Sequence, residues 1–461
     1  MNRLHLPIVL SLLAVLTGAY PTLGANRPNI VFFLADDMSV KDSSAYGNKQ
    51  IPGPNMLALA KEGLTFDRAY ATSPTCAPSR AAILTGCYNV RNGAMFNQQR
   101  PKAEIKKWPA YFQALGYEVV AIGKVAHYAQ VTTYGFDYAA YYKYHQDICV
   151  DKAVEWLAAR KATDKPLCLI VGTNFPHVPW PKEGMLTPDT LTLPARIADT
   201  PETRLARTHY IAAVNRADRD LGEVRDAVRK HLPADTLFVF GADQGAQWPF
   251  AKWTLYEAGL RVPLIVSWPG HVTADRRTDA MVSWLDVLPT LLEAAGADPK
   301  TAAPDIDGRS FMPVLTGAAS EHRDRVFASH SGDGNINFYP GRSVRLGNWK
   351  YIRNIDASLE FHTHIDLRPQ DTNYFPSWIE HAKSDKSIAA LVQQYYHRPA
   401  EELYDLSNDP DELTNLAGDP AHAADLARVR AALDEWMKAS HDDGIATDRA
   451  FEPKPAKPAA K

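Results

Sequence analysis

Cys76-Ala77-Pro78-Ser79-Arg80-Ala81-Ala82-Ile83-Leu84-Thr85-Gly86 is the stretch on which the reading of this chain turns. Pro78 suits the first turn of a helix, where its missing N–H costs nothing. Ala81, Ala82 and Leu84 are strong helix formers, and Gly86 suits the position just past a helix end. Cys76 then sits at a helix N-terminus, facing free N–H groups and the positive end of the dipole. Such a place binds anions and lowers the pKa of a thiol.

Around this stretch one event repeats: a short apolar run ends in polar or charged residues. Ile30 to Leu34 runs into Asp36-Asp37, and Val119 to Ile122 into Gly123-Lys124 and His127. Leu167 to Val171 runs into Asn174, Pro176 and His177, and Leu237 to Phe240 into Asp243-Gln244. Leu264-Ile265-Val266 is another such run. Continuous apolar runs of this length predict strands buried on both faces, as in parallel sheets. Helical patterns lie between them, over Asn55–Glu62 with Asn55 as a possible cap, over Asp151–Arg160 and over Arg204–His231. The alternation predicts an α/β sandwich with a largely parallel central sheet, whose ligands bind beyond the carboxyl ends of the strands.

After Gly317 the pattern changes. Ser343 to Leu346 and Trp349 to Arg353 flank Gly347-Asn348, a two-residue hairpin signal. Leu403 to Leu406 reads as a further strand and Ala421 to Met437 as a closing helix. A smaller α+β unit with an antiparallel sheet is expected. The organisation predicted is a secretory signal over 1–25, a larger α/β domain over 26–317, the second unit over 318–450 and a disordered tail over 451–461.

The signal rests on Arg3 and His5 ahead of apolar Leu6–Leu16, followed by the small-residue site Leu23-Gly24-Ala25. That run is too short to span a bilayer, so the mature chain is expected to be exported, periplasmic or secreted, without a membrane span. The 461 residues and 46% hydrophobic content are those of an ordinary globular protein. A formal net charge of −3 gives no general attraction to nucleic acid, so an anionic substrate needs locally placed cations. The cysteines are Cys76, Cys87, Cys149 and Cys168. They form no disulfide framework, and a single bridge stays open.

Asp36, Asp37 and Asp243 are carboxylates at strand ends, with the amide of Gln244 beside them. Facing one crevice they repel unless a cation lies between them. Oxygen donors suit Ca²⁺ or Mg²⁺ rather than zinc.

The Cys76–Gly86 stretch fits C-x-P-S-R-x-x-x-L-T-G and resembles the signature of the formylglycine-dependent sulfatases of the alkaline phosphatase superfamily. Leu34-Ala35-Asp36-Asp37, Arg342-Ser343-Val344-Arg345 and Glu402-Leu403-Tyr404-Asp405 are most similar to the heparan N-sulfatase group and its bacterial relatives. The resemblance implies that Cys76 is oxidised to formylglycine by a sulfatase-maturing enzyme. It also implies that Asp36, Asp37, Asp243, Gln244 and the modified Cys76 hold Ca²⁺, with Mg²⁺ the lesser fit. Gln244 departs from the usual Asn or His of the family and keeps the amide oxygen on a longer arm.

Lys124 and His127 match the family's G-K-x-x-H element, His177 its P-H element and Lys252 its K-x-x-x-Y-E element. Arg80 lies one turn past Cys76. In the implied mechanism Asp243 accepts a proton as a hydroxyl of the hydrated aldehyde attacks sulfur. His177 and Lys252 assist the leaving group. His127 deprotonates the second hydroxyl, and Arg80 and Lys124 hold the sulfate. Cations near the breaking bond stabilise the charge that develops there, and a histidine can supply the leaving group's proton. Sulfated carbohydrate is the expected substrate, with His330, Arg342 and Arg345 as candidate contacts or ordinary hairpin and surface residues, and Trp180 and Trp253 as candidate sugar platforms or buried packing residues. Two rival readings are a phosphodiesterase or phosphonate monoester hydrolase of the same superfamily, and a non-catalytic receptor for sulfated glycans.

Overall fold

The computed structural model describes residues 27–453 apart from 143–147, 162, 164, 185 and 335. The expected signal over 1–25 and the tail beyond 453 lie outside these residues.

An eight-stranded sheet forms the centre. In spatial order its strands are Arg276–Thr278, Leu64–Phe66, Leu264–Ser267, Leu237–Ala242, Ile30–Ala35, Leu167–Gly172, Glu118–Gly123 and Tyr138–Ala140. Ile30–Ala35 lies between two parallel neighbours, with Phe32 level with Ile170 on one side and Val239 on the other. All its residues are buried, as a strand covered on both faces requires.

Leu264–Ser267 departs from the expected parallel arrangement and is antiparallel to both neighbours. Between Ala242 and Leu264 the only helix is Glu257–Leu260. No long crossover helix carries the chain back to the starting edge, so the strand returns in the opposite sense.

Helix Cys76–Thr85 forms as the sequence reading requires. Thr75 is its cap, Pro78 lies in its first turn, and Gly86 follows in the left-handed region at φ 67°. The long helix begins earlier than expected, at Pro201, because Thr200 caps it by accepting the N–H of Thr203 and Pro201 takes the first helical position. Helix Pro54–Glu62 is capped at Gly53, not at Asn55. The Asn55 side chain instead donates to Asp218 Oδ2 at 2.9 Å.

A separate four-stranded antiparallel sheet runs Arg325–Asp333, Asn337–Leu346, Trp349–Asn354 and Glu401–Asp405. The hairpin turn falls at Gly347-Asn348, with Leu346 opposite Trp349. Helix Ala423–Ala439 covers this sheet through Val429, Leu433 and Trp436, packed on Val344, Tyr351 and Leu403. A further helix, Ile445–Phe451, lies beyond the expected closing one. It exists because Asp448 reaches Arg342 at 2.9 Å and the Phe451 carbonyl accepts from Gln99 at 2.5 Å, so the first residue of the expected tail is helical.

Cys76, Cys87, Cys149 and Cys168 are all buried, and none of them forms a disulfide. Among the described residues no helix is long and apolar enough to cross a membrane.

Candidate active site

The site lies where the strand ends Ile30–Ala35, Leu237–Ala242 and Glu118–Gly123 meet helix Cys76–Thr85. Asp36 and Asp37 follow the first strand directly, Asp243 and Gln244 the second, and Lys124 the third. The parallel registry of the strands therefore delivers residues distant in sequence to one edge.

Cys76 is the first residue of its helix and is buried. Its Sγ lies 3.7 Å from Asp36 Oδ1, 3.8 Å from Asp37 Oδ1, 3.2 Å from Gln244 Nε2 and 3.9 Å from Lys124 Nζ. One ligand atom from each of Asp36, Asp37, Cys76 and Asp243 falls within 4.8 Å of the other three. Asp37, Cys76 and His177 form an overlapping set. A positive helix end was expected to lower the thiol pKa, but here burial dominates over Lys124 and Lys252 and pushes it up.

The basic groups divide into two pairs. Arg80 reaches Asp36 Oδ1 at 3.1 Å, and Lys124 Nζ contacts the other oxygen of the same carboxylate. Lys252 Nζ donates to Asp37 Oδ2 at 2.6 Å, and His177 Nε2 lies 3.7 Å from that oxygen. Arg80 also donates to Asp243 Oδ2 at 2.8 Å. The three carboxylates and three permanent cations are nearly or wholly buried, so each charge depends on its neighbours.

The titrations follow. Burial alone raises the Asp36 carboxyl, but Lys124 and then Arg80 outweigh it and hold the group well below the usual range. Burial, opposed by Arg80 and reinforced by the Asp36 and Asp37 charges, pushes Asp243 up to about 7. Burial, then Lys252 and Lys124, keeps the His177 pKa well below the usual imidazole value. Burial and Lys124 do the same to His127, whose ring packs on Tyr128 at 4.1 Å.

The residues fit a dication. Its donors are carboxylate oxygens together with whatever oxygen replaces the Cys76 sulfur. In addition, Gln244 Oε1 is buried with no hydrogen-bond partner among the described residues. The Gln244 amide presents its nitrogen to Asp37 Oδ1 and Cys76 Sγ. A buried amide oxygen without a partner is costly, and turning the amide over would bring that oxygen, in place of the nitrogen, to a hard cation among these donors.

His330, Arg342 and Arg345 do not join this cluster. Arg342 is fully buried, with Nε 2.5 Å from Asp442 and a terminal nitrogen 2.9 Å from Asp448. Arg345 is bound to Glu257 at 2.5 Å and to the Tyr70 hydroxyl. His330 is buried beside a small cavity lined by Trp253, Tyr339 and Arg398. Arg342 thus holds the C-terminal segment to the four-stranded sheet, and Arg345 joins that sheet to Glu257 and Tyr70. Trp180 and Trp253 are likewise packing residues, Trp180 stacked on Trp248 at 5.1 Å and Trp253 on His364 at 5.5 Å.

Asn97 and Asp333 went unnoticed in the sequence. The Ala77 N–H donates to Asn97 Oδ1 at 3.1 Å, and Asn97 Nδ2 donates to Asp333 Oδ1 at 2.9 Å. Asp333 Oδ2 accepts from Trp253 Nε1 at 2.8 Å. The residue after Cys76 is thereby tied to the residue after Lys252 through the second sheet. No local pattern signals either residue.

Comparison with known proteins gives the same reading over most of the chain. The Sulfatase family model matches residues 28–297, and the model "N-sulphoglucosamine sulphohydrolase, C-terminal" matches residues 245–375. An ulvan-active sulfatase of Formosa agariphila is 32% identical over 91% of this chain and 81% of its own length. Human N-sulphoglucosamine sulphohydrolase is 29% identical over 91% of this chain and 92% of its own. The fold matches that of a protein solved with its substrate D-glucosamine-2-N,6-O-disulfate. That match has TM-score 0.67 and 22% identity and covers 91% of this chain and 99% of the other.

Proposed function

This chain belongs to the sulfatase family and is a sulfuric ester hydrolase, and from that premise we propose that it desulfates a sulfated glycan, at an O-sulfate or an N-sulfate, using formylglycine made from Cys76 beside a bound Ca²⁺. The observation that carries this reading is the buried set of Asp36, Asp37, Asp243 and Cys76 at the N-terminus of one helix, ringed by Arg80, Lys124 and Lys252. The names of the two relatives above, an ulvan-active sulfatase and N-sulphoglucosamine sulphohydrolase, support a glycan substrate.

Asp36, Asp37, Asp243 and Gln244 would hold the cation, with the oxygen of the matured residue 76. The cation would polarise that oxygen, and the aldehyde hydrate would supply the second hydroxyl that a serine lacks. Three carboxylates already face three cations, so a dication leaves the site net positive and ready for an anionic ester.

The division of the cations supports the division of labour. Arg80 and Lys124 share Asp36 and flank the Cys76 side of the cluster, where they would hold the sulfate oxygens. Lys252 and His177 share Asp37 Oδ2, which groups them on the leaving-group side, where the charged Lys252 would stabilise and protonate the departing oxygen or nitrogen and His177 would assist it. Val178 holds His177 in orientation, its carbonyl 2.6 Å from Nδ1. Asp243, a carboxylate in the same cluster as residue 76, is suited to accept the proton of the attacking hydroxyl. His127, close to Lys124 and kept neutral by burial, is suited to take the proton that releases sulfate. A leader peptide exporting the protein completes the proposal.

Metal analysis tests the ligand set. The matured protein should carry about one Ca²⁺ per chain, and Asp243→Ala should lose both the metal and aryl sulfate turnover. An Asp243→Ala variant with full metal content would remove Asp243 from the set.

A further inference from the structure

Asp333, the last residue of strand Arg325–Asp333, is a buried carboxylate that the reaction described above does not use. Its two oxygens collect three segments of the chain. Oδ1 accepts from Asn97 Nδ2 at 2.9 Å, and the Asn97 N–H in turn donates to the Gly332 carbonyl at 3.1 Å. Oδ2 accepts from Trp253 Nε1 at 2.8 Å and lies 3.3 Å from His364 Nε2. Burial raises the Asp333 pKa, but His364, Trp253 and Asn97 outweigh burial and hold the carboxyl well below the usual range, so the charge persists.

Trp253 is the residue these contacts constrain most. Its backbone lies in the left-handed region at φ 65°, a costly place for a bulky side chain. Such a conformation persists only where the surroundings over-determine it. Here the Trp253 N–H donates to the Pro74 carbonyl at 2.9 Å, the indole N–H donates to Asp333, and the ring stacks on His364 at 5.5 Å and 8°. Lys252 Nζ lies 5.0 Å from the centroid of the same indole and 2.6 Å from Asp37 Oδ2. Fixing the indole therefore fixes the ammonium beside it, through the backbone they share and through a cation–π contact. An N–H bonded to a carboxylate sets direction, where apolar packing would set position only.

We propose that Asp333 is a positioning residue for the hydrolysis: by anchoring Trp253 in this conformation it aims Lys252 at the leaving group. The proposal rests on the assignment of Lys252 to the leaving-group side.

Steady-state kinetics on phenyl sulfate and 4-nitrophenyl sulfate, at matched metal content and Cys76 conversion, test it. Phenolate is the poorer leaving group and depends more on Lys252. Asp333→Ala removes both acceptors. It should lower kcat by about tenfold or more on phenyl sulfate and by less on 4-nitrophenyl sulfate, with KM within about twofold on both. Trp253→Phe, which keeps a ring on His364 but removes the N–H, should lose activity in the same unequal way, and it decides the matter if Asp333→Ala does not fold. Added to Lys252→Ala, Asp333→Ala should not widen the difference between the two esters. Equal losses on the two esters in Asp333→Ala and Trp253→Phe, with unequal losses in Lys252→Ala, would overturn the positioning role while leaving Lys252 in its place. Equal losses in Lys252→Ala as well would overturn that assignment and the proposal with it.

Discussion

Arg80 and Asp243 make the innermost contact of the site. Nε of the guanidinium donates to Oδ2 of the carboxylate at 2.8 Å, with both side chains fully buried. The other carboxylate oxygen accepts the N–H groups of Asp37 and Gln244 at 3.0 and 2.9 Å. One ion pair therefore locks the helix that carries Cys76 to both strand ends that carry the proposed metal ligands.

Removing Arg80 should leave Asp36 and Asp243 short of a cation. Arg80→Ala is expected to destabilise the metal-free protein by about 3–5 kcal/mol, the usual cost of breaking a buried pair. A bound dication would offset part of that. Thermal unfolding with chelator and with excess Ca²⁺ should show a smaller loss in Ca²⁺. Equal losses in both would argue against a cation among these carboxylates.

Lys252 touches Asp37 and belongs to the proposed leaving-group side. Lys252→Ala should lower kcat on an aryl sulfate by roughly 10²–10³-fold, the scale for losing one electrostatic stabiliser of a transition state. Steady-state kinetics with matched metal content would check it. A kcat within about twofold of the parent would assign the lysine to structure alone.

Sulfur and phosphorus substrates separate the sulfatase reading from its nearest rival. With aryl sulfate and aryl phosphodiester compared at equal concentration, the sulfate should turn over faster. A strong preference for the phosphodiester would point to the phosphorus chemistry.

Away from the site, Asp286 anchors the segment after Ser283. It accepts the Ser283 N–H at 2.9 Å and the Arg309 N–H at 2.8 Å, and Arg323 Nε lies 2.6 Å away. Burial raises its pKa, but Arg323 outweighs burial and holds the carboxyl well below the usual range. The folded state therefore binds the proton more weakly than the unfolded chain, whose carboxyl titrates near pH ~3.9. The stability it contributes is present above that pH and is lost as pH falls below it. Asp286→Asn should cost about 3–5 kcal/mol at neutral pH and less at about pH 3, read by urea unfolding at both. A gap that stays constant with pH would show the charge to be immaterial.

The strands that carry the ligands were legible because a strand covered on both faces must be apolar throughout, as Ile30 to Ala35 and Leu237 to Ala242 are. The helix after Cys76 and the Gly347-Asn348 turn were legible because their signals are local. The direction of Leu264–Ser267 was not, since an apolar run reads the same in either sense. The partners of Arg342 and Arg345 were not legible for a related reason. An arginine on a strand does not announce whether Asp448, Glu257 or solvent will meet it. Asn97 and Asp333 are 236 positions apart, and only the folded chain shows that they support residue 77 together.

Mass spectrometry of the peptide containing Cys76, from protein made alongside a sulfatase-maturing enzyme and assayed in the same preparation, tests the central claim most directly. The account predicts an aldehyde at position 76, with turnover in proportion to the fraction converted. Full turnover by protein whose Cys76 is wholly an unmodified thiol would contradict it.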